Sequence, residues 1–168
     1  MQSTFKNIRK QLLKWIFENA QIHYVRYLKK KRKAWNINKN KLLQYPKESF
    51  GYHYAQFLEK NNFKMIPNFE RHDAYHVITG CGSKVEDEIA MQYLCLGNGK
   101  RSLNLIGILV LGTILLPDYW KYYLKAYSIG KRANQFYNWD FEKILDKNLC
   151  DIQIIIFNKT QLNKLKIL

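Results

Sequence analysis

The stretch Arg71–Leu94, RHDAYHVITGCGSKVEDEIAMQYL, constrains the fold more than any other part of the chain. Two helical patterns meet there at Gly80-Cys81-Gly82. Glycine admits the backbone angles that end a helix and turn the chain back, so the flanking segments are expected as two consecutive helices facing one another. The first is read from Asn68 to Thr79, following Pro67, and carries His72, Asp73 and His76. At ~100° per residue, positions i, i+1 and i+4 fall within an arc of ~100°. Histidines four apart point the same way, as they do in helical zinc motifs. The second helix is read from Ser83, three residues before Glu86 at a capping-box spacing, to about Leu96. Glu86 and Asp87 are expected to serve its N-terminus, and Glu88, in its second turn, is able to face the two imidazoles. Two neutral histidines and two carboxylates make a mixed N/O site that suits Zn²⁺ and also accommodates Mn²⁺ or Fe²⁺. The HDxxH pattern by itself fixes only three residues, and histidines so spaced also occur simply packed or solvated.

The remaining sequence predicts an all-α fold, a single-domain irregular helical bundle with the metal site between two consecutive helices. Residues 3–31 read as a helix, with Phe5, Ile8, Leu12, Leu13, Ile16, Ile22, Val25 and Leu28 at three- and four-residue steps. KKKRKAWNINKNK reads as an exposed linker, which divides the chain into a basic amphipathic helix and linker (1–41) and a helical metal-binding domain (42–168). A turn then leads into a helix with Phe50, Tyr54, Phe57 and Leu58 on one side. Leu103–Leu116, LNLIGILVLGTILL, is too short for a membrane span of ~20 residues. A helix apolar on all sides is expected in the core, although this one, with the tyrosines of DYWKYYLKAY, would also suit the lining of an apolar groove. KRANQFYNWDFEKILD reads as a last amphipathic helix, and CDIQIIIF as either a short strand or a docked tail.

Charge is concentrated at one end. The whole chain carries +15, yet residues 1–41 hold twelve lysines and arginines against Glu18 alone. Such a block attracts polyanions: nucleic acid or an anionic membrane surface. No zinc finger, RRM-type aromatic motif or other nucleic-acid element accompanies it, so no specific nucleic-acid partner is expected. On a membrane, Trp15 and Phe17 would enter the lipid interface. The N-terminus lacks the pattern of a secretory signal. Cys81, Cys95 and Cys150 are widely spaced, fit reduced thiols in the cytosol better than a disulfide framework, and are expected as small buried hydrophobes, with Cys81 alone also near enough to the histidines for a ligand role. A cytoplasmic protein is therefore expected, with peripheral membrane association one reading of its basic helix and a solvated charged helix without a partner the other.

HDAYH, followed by eleven residues and Glu88, resembles the HDxxH-x11-E signature of the ubiquinone biosynthesis family built around coenzyme Q protein four. PKESFGYHYAQFLE (Pro46–Glu59) resembles that family's upstream Pro-x-x-Ser/Thr-Phe-Gly-x-x-Tyr block, RHDAYHVITG its histidine helix, EIAMQYLCLGNG the stretch after its glutamate, and GKRANQFYNWDFEKILDKNL its C-terminal end. The resemblance covers roughly Leu43 to Phe157. It implies a helical, membrane-peripheral protein whose divalent metal, Zn²⁺ in most descriptions, is held by His72, Asp73, His76 and Glu88. It further implies C1 decarboxylation of a polyprenylated 4-hydroxybenzoate-type quinone precursor. The alternative it carries is a non-catalytic prenyl-lipid-binding or scaffold protein of a quinone biosynthetic complex, its metal structural. Partners would be a prenylated aromatic or other isoprenoid lipid and other quinone-biosynthesis proteins. The chain departs from the pattern at Asp87, where the family usually has glycine before the glutamate.

Catalytic groups beyond the ligands are not fixed by spacing; Asp87 and Tyr75 are the nearby proton-shuttle candidates. A helical HD-type phosphohydrolase is a second class to weigh, with His53 upstream and Asp118 or Asp140 downstream, but it leaves His76 and Glu88 without a role.

Overall fold

The computed structural model describes residues 2–23 and 33–165. Among these residues nine α-helices form and no strand does. The helices are α1 (Gln2–His23), α2 (Lys39–Leu42), α3 (Phe50–Lys60), α4 (Glu70–Thr79), α5 (Val85–Gly97), α6 (Leu103–Leu115), α7 (Trp120–Arg132), α8 (Leu149–Ile156) and α9 (Lys159–Leu165). The expected all-α architecture is what the chain adopts. The C-terminal part of the long N-terminal helix, from residue 24, lies outside the described residues.

The central element is α5, which packs against α1, α4, α6 and α7. Its apolar residues Ile89, Ala90, Met91, Leu94 and Cys95 are buried on several sides. Its approach to α7 is close because both helices use glycine at the contact. A Cβ on Gly130 would stand 2.8 Å from the Leu94 carbonyl carbon, and one on Gly97 would stand 2.8 Å from the Lys131 amide nitrogen. Helix α3 starts at Ser49, whose hydroxyl accepts from the Tyr52 amide at 3.2 Å, satisfying a helix-end donor that would otherwise lack a partner. It packs on α4 with Phe50, Tyr54 and Leu58 turned inward.

The boundaries around the glycine break differ from the sequence reading in instructive ways. Helix α4 begins at Glu70 because Asn68 sits in the left-handed region (φ 68°), which asparagine tolerates and a helix does not. Gly80 ends α4 at φ 69°, and its N–H bonds back to the His76 carbonyl. Ser83 does not cap α5. Its hydroxyl instead donates to Asn61 Oδ1 at 2.6 Å, tying the loop to the end of α3, and the helix starts one residue later with Lys84 at the cap position.

Four further expectations are corrected. The amphipathic helix read from Lys131 onward stops at Arg132, and only a 3₁₀ turn at Phe141–Ile144 follows. The reason is local: the Asn98 amide oxygen accepts from the backbone N–H groups of Phe136 (2.9 Å) and Tyr137 (3.1 Å), which a helix would have needed. CDIQIIIF is helical rather than a strand or tail. Asn148 caps it by accepting from Cys150 and Asp151, and Ile152 and Ile156 are buried one turn apart. The described part of the linker is exposed only in part: Lys33, Asn36, Asn38, Asn40 and Lys41 are exposed, whereas Trp35 packs edge-on against Tyr54 (5.8 Å), and its amide donates to Glu70 Oε1 at 3.2 Å. Finally, α6 is not a core helix. Leu105, Leu109 and Gly112 face inward, while Leu103, Ile106, Val110, Leu111 and Ile114 face solvent.

Candidate metal centre

His72 and His76 stand one turn apart on α4, and the glycine break folds α5 back so that Glu88 meets both. Glu88 Oε2 lies 3.0 Å from His72 Nε2, and Oε1 lies 2.9 Å from His76 Nε2. The two Nε2 atoms are 3.3 Å apart. Two nitrogens bound at ~2.05 Å in tetrahedral directions around Zn²⁺ would be separated by ~3.3 Å, so the imidazoles already hold the spacing that such an ion needs. One ligand atom from each of the three side chains lies within 4.8 Å of the others.

The far sides of the rings support the same assignment. His76 Nδ1 is 3.1 Å from the Cys81 carbonyl oxygen. A carbonyl only accepts, so Nδ1 carries a proton, and Nε2 is the nitrogen that faces the cluster and becomes free to bind a cation when its own proton, shared with Glu88, leaves. His72 Nδ1 lies 3.5 Å from the Gln92 side-chain amide, which offers an oxygen to an Nδ1 proton when the amide is turned. Phe57 stacks on His76 (5.2 Å, 16°) and Phe69 leans on His72 (4.3 Å), holding both rings in place.

Electrostatics within the cluster are strongly coupled. Burial alone would push Glu88 up, but the two imidazoles outweigh it and hold the carboxyl well below its ordinary range. Burial would depress His76, and Glu88 reverses this, pushing it up to about 8. At His72 burial wins and the pKa is lowered. A half-buried carboxylate and two imidazoles so placed share protons that a divalent cation would displace. The donor set and its spacing fit such an ion.

Asp73, the fourth expected ligand, lines the same cavity as the other three. Its Oδ2 accepts the Tyr54 hydroxyl at 3.0 Å. It lies outside the tight group of three. Burial pushes its pKa up to about 7 against the opposing pull of His76 and Tyr54. Glu86 and Asp87 do not simply cap α5: Glu86 Oε1 pairs with Lys10 on α1 (2.6 Å), and Asp87 Oδ1 accepts from Tyr122 (2.8 Å). Neither proton-shuttle candidate lines the cavity, since the Tyr75 hydroxyl donates to the Tyr137 carbonyl at 2.7 Å and Asp87 faces a second, shallower hollow.

The cysteines take no part as thiols. Cys81 is buried, its thiol pushed up to about 12 by burial, and its carbonyl is what serves His76. Cys150 is exposed, contrary to expectation. The residues of the phosphohydrolase alternative do not assemble. His53 lines the second hollow, Asp118 pairs with Arg9 (2.8 Å), and Asp140 pairs with Lys143 (3.2 Å).

The cluster opens into a cavity of about 670 Å³. Phe17, Phe63, Ile66, Phe69, Val85 and Ile108 supply its apolar wall, and Lys10, Gln11 and Lys14 of α1 border it. None of the tyrosines in the DYWKYYLKAY run reaches it. The sequence reading missed Gln92, Tyr54 and the Cys81 carbonyl. Gln92 stood one turn after Glu88 and was readable as sharing its face; Tyr54 comes from another helix and carried no local signal.

Residues 68–156 match the family model described as coenzyme Q (ubiquinone) biosynthesis protein Coq4. That match spans more than half of the chain and contains all four expected ligands. The chain belongs to this family. Among solved structures, it is similar to the crystal structure of a candidate ubiquinone biosynthesis protein from Nostoc punctiforme, with a TM-score of 0.62 and 19% identity over 91% of this chain and 81% of that one. This likeness shows a shared fold. No curated protein sequence matches the chain. Family membership supports a role in coenzyme Q biosynthesis.

Proposed function

We propose that the chain binds a divalent metal, Zn²⁺ by its ligand chemistry, and removes the C1 carboxylate of a polyprenylated 4-hydroxybenzoate-type quinone precursor at a membrane surface. The observation that carries this reading is the His72–His76–Glu88 group set at the head of a largely apolar cavity. Asp73, beside the group, is proposed to complete the ligand set, directly or through a water molecule. A bound divalent ion supplies Lewis-acid stabilisation of the negative charge that gathers on an aromatic acid as CO₂ departs.

The chain's own residues do the rest. The Cys81 carbonyl and Phe57 fix the His76 ring, and Tyr54 orients Asp73. Phe63, Phe69 and Ile108 accept the isoprenoid tail and exclude water around the ring. Decarboxylation replaces CO₂ with a proton at the ring carbon, and the open mouth of the cavity delivers that proton from water. Zinc-loaded protein incubated with a prenylated 4-hydroxybenzoate-type acid is expected to release CO₂, and His76→Ala is expected to abolish release. Tight binding of the prenylated acid with no CO₂ evolved, by zinc-loaded protein, would instead favour the lipid-binding or scaffold role.

A further inference from the structure

Helix α1 is turned inside out. Phe5, Ile8, Leu12 and Trp15 lie along one stripe at steps of three and four residues, and all four are exposed, Phe5 and Trp15 by 66% and 63%. Lys6, Arg9 and Lys10 point inward instead, while Lys14 is exposed at the cavity border. Lys10 pairs with Glu86 (2.6 Å), Arg9 pairs with Asp118 (2.8 Å), and Lys6 and Lys10 lie over the Tyr119 ring at 4.3 and 4.9 Å. Among the described residues of α1, Leu13 alone is fully buried. The helix is thus held to the body by one buried leucine, by Phe17 packed against the core and by ion pairs, and partly exposed pairs of this kind hold weakly.

The stripe does not stand alone. Helix α6 packs beside α1 and exposes Leu103, Ile106, Val110, Leu111 and Ile114. Trp120 and Leu124 of α7 are exposed as well. The described exposed residues of α1 and α6 include no carboxylate. Among the described residues, no single helix is long and apolar enough to cross a membrane, and α6 with the segment after it bends by 100°. An apolar face with exposed tryptophans and no described carboxylate, on a chain of net charge +15, complements an anionic lipid surface. A second copy of the chain fits less well, because two chains of net charge +15 repel one another.

Helix α1 also covers the cavity, since Lys10, Gln11, Lys14 and Phe17 form its border. We propose that the α1–α6 face docks on an anionic bilayer, and that docking draws α1 off the body and opens the metal cavity to ligand held in the lipid. This rests on reading the cavity as the site for a lipid-borne substrate. Lipid phosphates compete with Glu86 and Asp118 for Lys10 and Arg9, and the outward stripe gains burial that it lacks in solution. The surface therefore serves both as the mooring and as the signal that opens the site.

The test reads the position of α1 directly and uses neither substrate nor metal, so failure of the metal or decarboxylase reading shows separately, in metal content and CO₂ release. Spin labels are placed on the full chain at Asn7→Cys and Lys143→Cys in a Cys150→Ser background. Vesicles of phosphatidylcholine are compared with vesicles containing phosphatidylglycerol. The protein is expected to sediment with the anionic vesicles, with a shift of the label distance that reflects movement of α1 by about its own diameter, ~10 Å. Ile8→Glu with Ile106→Glu, both on exposed positions, is expected to lower vesicle binding about tenfold or more and to abolish the shift. Lys10→Met with Glu86→Gln is expected to show the displaced distance in solution. Sedimentation without any shift would overturn the gate. No sedimentation with anionic vesicles would overturn the docking face, and a dimer that Ile8→Glu dissociates would reassign it to a second copy.

Discussion

The α4–α5 corner and the α1–α6 face break the usual partition of residues in opposite directions. The corner buries polar groups: Glu70, Asp73, His76 and Gln92 are each less than a tenth exposed, and each has a named partner. The face leaves large apolar groups uncovered among the described residues: Phe5, Ile8, Trp15, Ile106 and Ile114. A buried polar group is tolerated only when its hydrogen bonds are met, so the corner had to be solved in three dimensions, atom by atom. An exposed apolar face needs only a partner outside the chain. The first kind of departure identifies chemistry, and the second identifies a surface.

The comparison is broken most severely at Glu88. Glu88→Ala removes one of the three clustered ligands and leaves two imidazoles facing each other 3.3 Å apart. With apparent zinc affinities of ~10–16 kcal/mol spread over a full ligand set, loss of one ligand is expected to weaken binding on the order of 10²–10³-fold. Elemental analysis after dialysis should show metal in the wild type and little in Glu88→Ala or His76→Ala. Equal metal content in all of them would mean that the cluster is only a buried hydrogen-bonded group. Asp73→Asn is expected to lower metal content less than either, because Asp73 stands outside the tight group.

A second contrast sits within one helix. Leu13 is fully buried and Ile8 is 55% exposed, five residues apart on α1. Leu13→Ala is expected to cost about 2–4 kcal/mol in a urea titration, because it opens a cavity beneath the helix. Ile8→Ala is expected to change stability by less than about 0.5 kcal/mol. A large loss for Ile8→Ala would show that the stripe is already covered in solution.

These contrasts mark what the sequence could and could not disclose. The corner was legible because its signal is local: two histidines at i and i+4, a glycine break that returns the chain, and a glutamate in the next helix. Asn68 moved the helix start by its left-handed backbone, and Ser83 went to Asn61 rather than to its own helix, because a tertiary partner outbid a local cap. The face was misread. LNLIGILVLGTILL is apolar all round, and such a pattern says that a helix avoids water without saying what replaces it. The aromatic stretch after Arg132 failed for the opposite reason, since the Asn98 side chain captures backbone N–H groups that a period-based reading assigns to a helix.

Protonation sharpens the contrast further. His76 is raised from 6.5 to about 8. The native state therefore holds a proton that the unfolded chain releases, and this contribution is fully present below pH 6.5 and lost as pH rises through about 8. At 1.36 kcal/mol per unit it amounts to about 2 kcal/mol. Asp73, raised from 3.8 to about 7, acts with the same sign at lower pH. The depressed values of His72 and Glu88 act below their ordinary 6.5 and 4.5, outside this window. Metal-free protein is thus expected to lose stability between pH 6.5 and 8.5, whereas zinc, which must displace the His76 proton, is expected to raise Tm more as pH increases. Thermal melts with and without zinc across that range should diverge. The described exposed residues of the α1–α6 face include no histidine or carboxylate that would produce the same divergence.

The smallest expected effect concerns a polar group buried away from the corner. Tyr123 is fully buried on α7 and stacks on Tyr93 (5.3 Å, 6°), yet its hydroxyl has no hydrogen-bond partner among the described residues. An unmet buried hydroxyl is a net loss, because water would have bonded to it in the unfolded chain. Tyr123→Phe keeps the ring, the stacking and the volume and removes only that oxygen. It is expected to stabilise the fold by up to about 1 kcal/mol, where the same change at Tyr54, whose hydroxyl holds Asp73 at 3.0 Å, should destabilise it by about as much. Paired urea titrations of the two variants read the sign directly. Destabilisation at both positions would mean that Tyr123 has a partner in solution, such as a buried water, and that the rule of met polar groups extends beyond the α4–α5 corner into the α5–α7 contact.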